Sequence, residues 1–306
     1  MGQLGMIKLL SNGVRRALGS LPPGWSLNIL PDDVFLVSFP KSGNTWARFL
    51  LGNLISPDKP ATFSNIRGLV PDPLGTPTKV FDRMQRPRII KSHECFDPRY
   101  PRVIYMVRDP RDVVVSQYHY HRKIREIADD MPIEAFVSQF LAGKTWPCGS
   151  WGQHVVTWLG TSEGDSRFLL LRYEDMLVDT SRELRKIAEF IGLQTSEKQI
   201  ALAVERSTAG RMREVEQAES EGCDRMIGRE SRKDIMFVRA AGSGGWRKDL
   251  PMPMVQRIEA AWGRMMGHLG YGLVTQAVSE ERDYASIGIE FRPRVGRTAE
   301  LKDLFS

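Results

Sequence analysis

Four short apolar runs constrain this chain more than any other feature: VFLVSF at 34–39, RII at 88–90, RVIYMV at 102–107 and RFLLLR at 167–172. Each is followed by a basic or polar turn. Their apolarity is continuous rather than alternating, as expected of strands covered on both faces in a parallel sheet. Helical stripes lie between and after them. Trp46, Phe49, Leu50 and Leu54 form one, and Leu184, Ile187, Ala188 and Ile191 a second that Gly192 ends. Met254, Ile258, Trp262, Met265 and Leu269 form a third. The alternation predicts a three-layer α/β/α domain with a central, mainly parallel sheet. Asp109-Pro110 supplies an N-cap followed by proline at the first helical position, so a helix should start at 110; Ser196 with Gln199 spells a capping box.

At 306 residues the chain can bury a full core, and 42% hydrophobic with 26% charged residues exclude wholesale disorder. No segment reaches the roughly 18 uninterrupted apolar residues of a membrane-spanning helix. Near the N-terminus, Lys8 interrupts the apolar run and Arg15 and Arg16 follow it, the wrong order for a secretory signal, so a cytoplasmic protein is expected. Leu4, Ile7, Leu10, Val14 and Leu18 fall near helical spacing, which reads as a helix packed on the domain, with peripheral membrane contact as the alternative. Cys95, Cys148 and Cys223 have no paired spacing, so plain thiols are expected rather than a zinc knuckle or a disulfide framework. His119, His121 and His154 show no metal-ligand pattern and read as surface or pocket-lining residues; no metal is expected. The net charge of +6 favours anionic ligands, and no arginine-rich stripe with interleaved aromatics points to nucleic acid. The stretches 57–77 and 213–234 read as long surface connections, the second a lid candidate or else a solvated excursion.

The chemistry starts at the first strand end. Pro40-Lys41-Ser42-Gly43 lies between a strand and a helix starting near Asn44, where unpaired N–H groups and the helix dipole face an anion together. The dipole contributes only about 0.3–1 kcal/mol, so a multiply charged ligand needs a cation, and Lys41 supplies it. The loop is not a Walker A motif, because Lys41 precedes Gly43 and no earlier glycine opens it. A second strand ends at Arg108, with Ser116 eight positions on in the following helix, a fork and a hydroxyl suited to a second phosphate. A third ends in IIKSHECF, where Lys91 and His93 are two apart and point to one side of an extended chain.

These residues carry a family resemblance. FPKSGNTW resembles the 5′-phosphosulfate loop of the sulfotransferases that use 3′-phosphoadenosine 5′-phosphosulfate, and VRDPRDVVVSQYHY resembles their 3′-phosphate motif. KSH is similar to the Lys-x-His that carries their catalytic histidine, RYEDM to the segment whose aromatic contacts adenine, and AGKTWPCGSWGQHVVTW to their Gly-Ser-Trp and His-Val region. VRAAGSGGWRKDL resembles their late Arg-Lys-Gly-x-x-Gly-Asp-Trp motif. The likeness runs in order over about 33–271, which divides the chain into an N-terminal helical extension 1–32, a sulfotransferase domain 33–271 and a C-terminal tail 272–306. It departs at Asn44, where threonine is common, and at Ala240, Ala241 and Gly245, which replace Lys-Gly and Asp. The dimerisation pattern Lys-x-x-x-Thr-Val-x-x-x-Glu is absent after Lys248, which leaves the oligomeric state open.

The resemblance implies a P-loop-like sulfotransferase fold and in-line sulfuryl transfer to a hydroxyl or amine of a small-molecule acceptor, with His93 as general base and Lys41 and Lys91 at the leaving oxygen. Lys41, Ser42, Gly43, Asn44, Thr45 and Trp46 would hold the 5′ end of the donor, Arg108, Ser116, Arg239, Ala240 and Ala241 its 3′-phosphate, and Tyr173 with Trp46 its adenine. Acceptor walls should come from 56–86, from 120–151 with Phe136, Phe140 and Trp146, and from 211–238. A kinase-like phosphoryl transferase and a non-catalytic, degenerate nucleotide binder are the rival readings.

Overall fold

The computed structural model describes residues 27–275 except 75, 163, 221–226 and 229, so the N-terminal helix, Cys223 and the tail beyond 275 lie outside the described residues. Four strands, β1 (Val34–Ser38), β2 (Ile89–Ser92), β3 (Arg102–Val107) and β4 (Phe168–Arg172), form one sheet in the order β2-β1-β3-β4, every pairing parallel. β2 sits slightly later than the RII run predicts. Its ladder with β1 runs from Ile89 to Ser92, carrying pairing past the apolar residues to Lys91 and Ser92.

The helices that position the site are α1 (Asn44–Ile55), α2 (Pro110–Lys123), α3 (Ile133–Leu141), α4 (Trp151–Ser162), α5 (Tyr173–Val178), α6 (Thr180–Ile191), α7 (Glu197–Arg206), α8 (Ala209–Ala218) and α9 (Met252–His268). The three layers follow from the pleat, which sends successive side chains to opposite faces. Phe35, Val37, Val103, Tyr105 and Val107 pack on one side with residues of α2, α3, α4 and α9. Val34, Leu36, Ile104 and Met106 pack on the other with residues of α1, α6 and α7. α2 starts as its sequence predicts, with Asp109 accepting from the Arg111 N–H and proline at N1. The capping box of Ser196 and Gln199 starts α7, and Gly192, at φ 76°, ends α6.

Two expectations about the surface are corrected. The 57–77 stretch is not a plain surface connection: Ala61, Phe63 and Ile66 are buried with Phe49 of α1, and with Met212 and Ile227, in a third apolar cluster. The 213–234 stretch starts inside α8 and is tied down at its two described ends by buried polar groups. Glu216 accepts from the N–H groups of Phe237 and Val238, and Lys123 donates to the carbonyls of Arg232 and Ile235. Residues 27–33 are part of the domain, since Leu27 is in the core and the buried Arg88–Asp33 pair also holds the Asn28 carbonyl. At the other end, Glu259 of α9 accepts from the N–H groups of Val274 and Thr275, while Arg111 donates to Glu259 and the Gly272 carbonyl.

Candidate active site

After β1 the chain passes to one side for β2 and to the other for β3, so a crevice opens at the carboxyl end of β1, where open α/β sheets bind ligands. The register gathers the site there. Ser38 pairs with Met106, and Val107 with Arg172, so the residues just past the ladders, Pro40, Arg108 and Tyr173, stand side by side. Val37 pairs with Ser92, which brings His93 level with Ser38.

The loop after β1 is strained and tight. Lys41 adopts φ 69° and Gly43 φ 103°. A Cβ on Gly43 would come within 2.6 Å of Tyr173 and 2.9 Å of Met106, so only glycine fits both the dihedral and the space. Gly43 caps α1 without a side-chain hydrogen bond, leaving the first-turn N–H groups to an outside acceptor. The Ser42 hydroxyl and the Arg108 Nε are buried without a partner among the described residues. Lys41 Nζ lies 4.6 Å from the Tyr120 ring centre and 4.1 Å from that of Phe237. Burial and then the Arg108 charge bring its ammonium from 10.5 down to about 7, against an upward pull from Glu216.

Arg108 joins three parts of the site. It donates to the Lys41 carbonyl at 3.2 Å and the Gly242 carbonyl at 2.8 Å, and its guanidinium lies 4.3 Å over Tyr173. Asp112, Ser116 and Tyr120 recur at every fourth position of α2 and so share one face. Asp112 accepts from the N–H groups of Gly244 and Trp246, Tyr120 reaches Lys41, and the partly exposed Ser116 lies between them. The late loop thus keeps its place although its motif is altered. Ala241 holds a left-handed φ of 50° where the resembling family has glycine. Arg239 is half-exposed beside Asp249 at 3.5 Å, and its charge is felt at Lys41. Ala240 is exposed, Thr45 is half-buried, and the half-buried Trp46 meets Tyr173 edge-on at 5.5 Å. Tyr173 itself is 5% exposed, leaving Trp46 the more open of the two rings.

The other side of β1 carries His93. Its Nδ1 lies 2.7 Å from the Ser38 carbonyl, and since a carbonyl only accepts, Nδ1 bears the proton and Nε2 the lone pair. Burial first, and then the Lys91 charge, hold its pKa well below 6.5. Lys91 does share that side of the strand, but its ammonium is bound to Asp72 at 2.5 Å. Trp146 donates to the His93 carbonyl at 3.3 Å and meets the imidazole edge-on. Cys95 donates to the Cys148 carbonyl at 3.1 Å, and Trp158 to the Glu94 carbonyl at the same length, lacing the residues after β2 to α4 and the loop before it. The two cysteines, 53 positions apart, are free thiols and neighbours.

Three site expectations change. Asn44 is a donor-loop residue in sequence, but its Nδ2 donates to the Leu36 carbonyl and the Ser38 hydroxyl, both at 3.2 Å, so neither amide proton faces the loop's ligand side. Phe136 and Phe140 are core residues, 1% and 0% exposed, because α3 turns its apolar face to α2 and α9 rather than to the crevice. His154 is also wholly buried, bonded to the Tyr105 hydroxyl at 2.9 Å. The sequence reading did not single out Ser38, Asp72, Tyr120, Glu216 and Phe237, although the wall segments 56–86, 120–151 and 211–238 contain all but Ser38. Of these only Tyr120 had a local signal, its position one turn beyond Ser116.

Comparison with known proteins places the chain. A family model described as sulfotransferase domain matches residues 31–270. The chain is 29% identical over 267 residues to sulfotransferase 1A1 of Canis lupus familiaris, covering 80% of this chain and 87% of that one. It is 28% identical over 255 residues to sulfotransferase 1E1 of Rattus norvegicus, covering 77% and 84%. Among solved structures, mouse sulfotransferase SULT7A1 complexed with PAP matches at TM-score 0.61 and 26% identity over 79% of this chain and 87% of that one. Retinol dehydratase in a complex with retinol and PAP matches in fold, with TM-score 0.65 at 22% identity over 82% and 86%. Among the described residues no helix is long and apolar enough to cross a membrane.

Proposed function

The chain belongs to the sulfotransferase domain family, and on that premise we propose that it transfers the sulfuryl group of 3′-phosphoadenosine 5′-phosphosulfate to a hydroxyl of a small-molecule acceptor, in a cytoplasmic setting. One juxtaposition carries the reading: a cluster of cations meets a neutral imidazole at the carboxyl end of one strand. Lys41, Arg108 and Arg239 face a donor bearing about four negative charges. The residues present fit that donor. The orphaned Ser42 hydroxyl and Arg108 Nε, with the open first turn of α1, supply donors that the protein itself leaves unused.

In the proposed reaction the acceptor oxygen attacks sulfur in line, the new O–S bond forms, and the bond from sulfur to the 5′-phosphate oxygen breaks. Charge then grows on the departing phosphate, where Lys41 acts most strongly in the transition state. The acceptor proton passes to His93 Nε2, the ring nitrogen whose lone pair is free. General-base help of this kind is typically worth about 10²- to 10⁴-fold. Lys91, engaged by Asp72, assists through its field, which adds to the larger effect of burial in keeping His93 unprotonated at neutral pH. Trp146, Tyr120 and Phe237 give the acceptor side an aromatic lining, suited to an apolar alcohol, a phenol or a stacked sugar.

Thermal-shift titration tests the donor class: 3′-phosphoadenosine 5′-phosphate (PAP) should stabilise the protein and ATP should not. Radiolabelled donor offered with panels of phenols, sterols, lipids and glycans then tests transfer. Transfer that survives a chelator supports sulfuryl chemistry over a kinase-like reaction. Stabilisation by ATP alone would overturn the proposal, and PAP binding without transfer to any panel would leave the non-catalytic reading in its place.

A further inference from the structure

The geometry points to Asn44 and Ser38 as positioning residues for His93, so that the residue opening the donor-binding helix aims the base on the acceptor side. This inference rests on His93 acting as the base. Asn44 is the first residue of α1, and its side chain is 4% exposed. Its Nδ2 joins the Leu36 carbonyl and the Ser38 hydroxyl, each at 3.2 Å. Ser38 is wholly buried, and its hydroxyl lies 3.4 Å from His93 Nδ1 while its carbonyl takes the Nδ1 proton at 2.7 Å. One residue therefore meets Nδ1 through two oxygens, and Asn44 restricts how one of them can turn.

The direction of that hydroxyl matters because imidazole has two neutral forms. Asn44 donates to the Ser38 oxygen, which leaves the oxygen one lone pair and its own proton to place. With Nδ1 already donating to the Ser38 carbonyl, the lone pair faces Nδ1 and the hydroxyl proton faces away. Without the Asn44 bond the hydroxyl is free to swing and donate to Nδ1. That arrangement competes with the Ser38 carbonyl for Nδ1; where it wins, the proton sits on Nε2 and the ring loses the lone pair that would take the acceptor's proton. A threonine at 44, usual in the resembling family, has one hydroxyl proton and cannot donate to both the Leu36 carbonyl and the Ser38 oxygen. Asn44 has in this way left the donor's phosphate and joined the base.

Nitrogen-15 NMR of histidine-labelled protein saturated with PAP tests the assignment, with His93→Ala identifying the His93 signals. The unaltered protein should show Nδ1 as an N–H and Nε2 as an unprotonated nitrogen; a protonated Nε2 or an even mixture overturns the proposal with no variant needed. Asn44→Thr should shift His93 toward a mixture of the two forms while leaving PAP affinity within about threefold. Ser38→Ala, which keeps the carbonyl and removes the hydroxyl, should leave Nδ1 as the N–H and, added to Asn44→Thr, restore it. Transfer to 2-naphthol as the probe acceptor should fall roughly tenfold in kcat in Asn44→Thr, in line with the cost of a misaimed group. Unshifted His93 signals in Asn44→Thr, or a tenfold loss of PAP affinity with kcat retained, would return Asn44 to the donor. The base reading fails separately: it falls if His93→Ala transfers to 2-naphthol at near wild-type rate, whatever the tautomer experiment shows.

Discussion

The β1–β3 and β1–β2 seams end a few residues apart, yet their charges are managed in opposite ways. At β1–β3, Lys41 is met by aromatic rings and Arg108 by carbonyls, so positive charge is gathered with no carboxylate in an ion pair to either among the described residues, and Glu216 acts on Lys41 only through its field. At β1–β2, Lys91 is neutralised by Asp72 and His93 is held neutral with one nitrogen tied to the backbone. Burial first, and then the neighbouring Arg108 charge, lower the Lys41 pKa, so that seam is costly until an anion arrives. The balanced seam needs no ligand to hold its shape. The contrast teaches a division of labour: one side is prepared to bind, the other to accept a proton.

The contrast can be broken most severely at His93. His93→Ala should lower transfer by about 10²- to 10⁴-fold while PAP still binds, because the cation seam is untouched. The same assay on the unaltered protein sharpens the point through pH. A base with its pKa held well below 6.5 stays unprotonated as pH falls through 6.5, so the acid limb of kcat should appear only below that value. An acid limb centred at 6.5 or above would contradict it.

Gly43→Ala attacks the other seam. A Cβ 2.6 Å from Tyr173 at φ 103° adds steric overlap to backbone strain, together about 2–5 kcal/mol of stability, read by thermal or denaturant unfolding. PAP binding should be lost with it.

Lys41 supplies a smaller and reversible effect. Its protonated form binds the anion, so a free-protein pKa of about 7 means that the attraction is complete below pH 7 and weakens as pH rises past it. PAP affinity should fall about fivefold between pH 7 and 8, roughly 1 kcal/mol, with proton uptake on binding that calorimetry in two buffers will detect. Lys41→Met should abolish this dependence; a flat profile in the unaltered protein would mean that the cation is already compensated. The smallest change expected is in Ala241→Gly, which relieves a left-handed alanine and should stabilise the fold by about 0.5–1 kcal/mol without altering His93.

The two seams also differed in how far they could be read in advance. The cation seam is written in contiguous stretches: Lys41 to Gly43 at a strand end, and Asp109-Pro110 with Ser116 nearly two turns on. Local rules of capping and strand-loop-helix geometry suffice for these. The acceptor side is assembled from pieces that no local rule connects. Asp72 reaches Lys91 across 19 positions, and Cys95 lies against Cys148 only because two loops meet. The error at Phe136 and Phe140 has the same origin, since an apolar helical face does not say whether it turns to a crevice or a core. Asn44 was puzzling for the reverse reason: its partners, Leu36 and Ser38, are near in sequence but belong to the strand behind the loop rather than to the ligand in front.

The shared face of α2 has a metric consequence. Asp112 fixes the 244–246 loop and Tyr120 touches Lys41, eight residues apart on one straight element. At 1.5 Å per residue that is a ruler of about 12 Å, graduated by helix rise rather than by either loop. Any molecule spanning both loops is therefore gauged by α2. Inserting one residue between the two marks would rotate one end by about 100° and take the ruler out of calibration, leaving both loops intact but no longer facing the same guest.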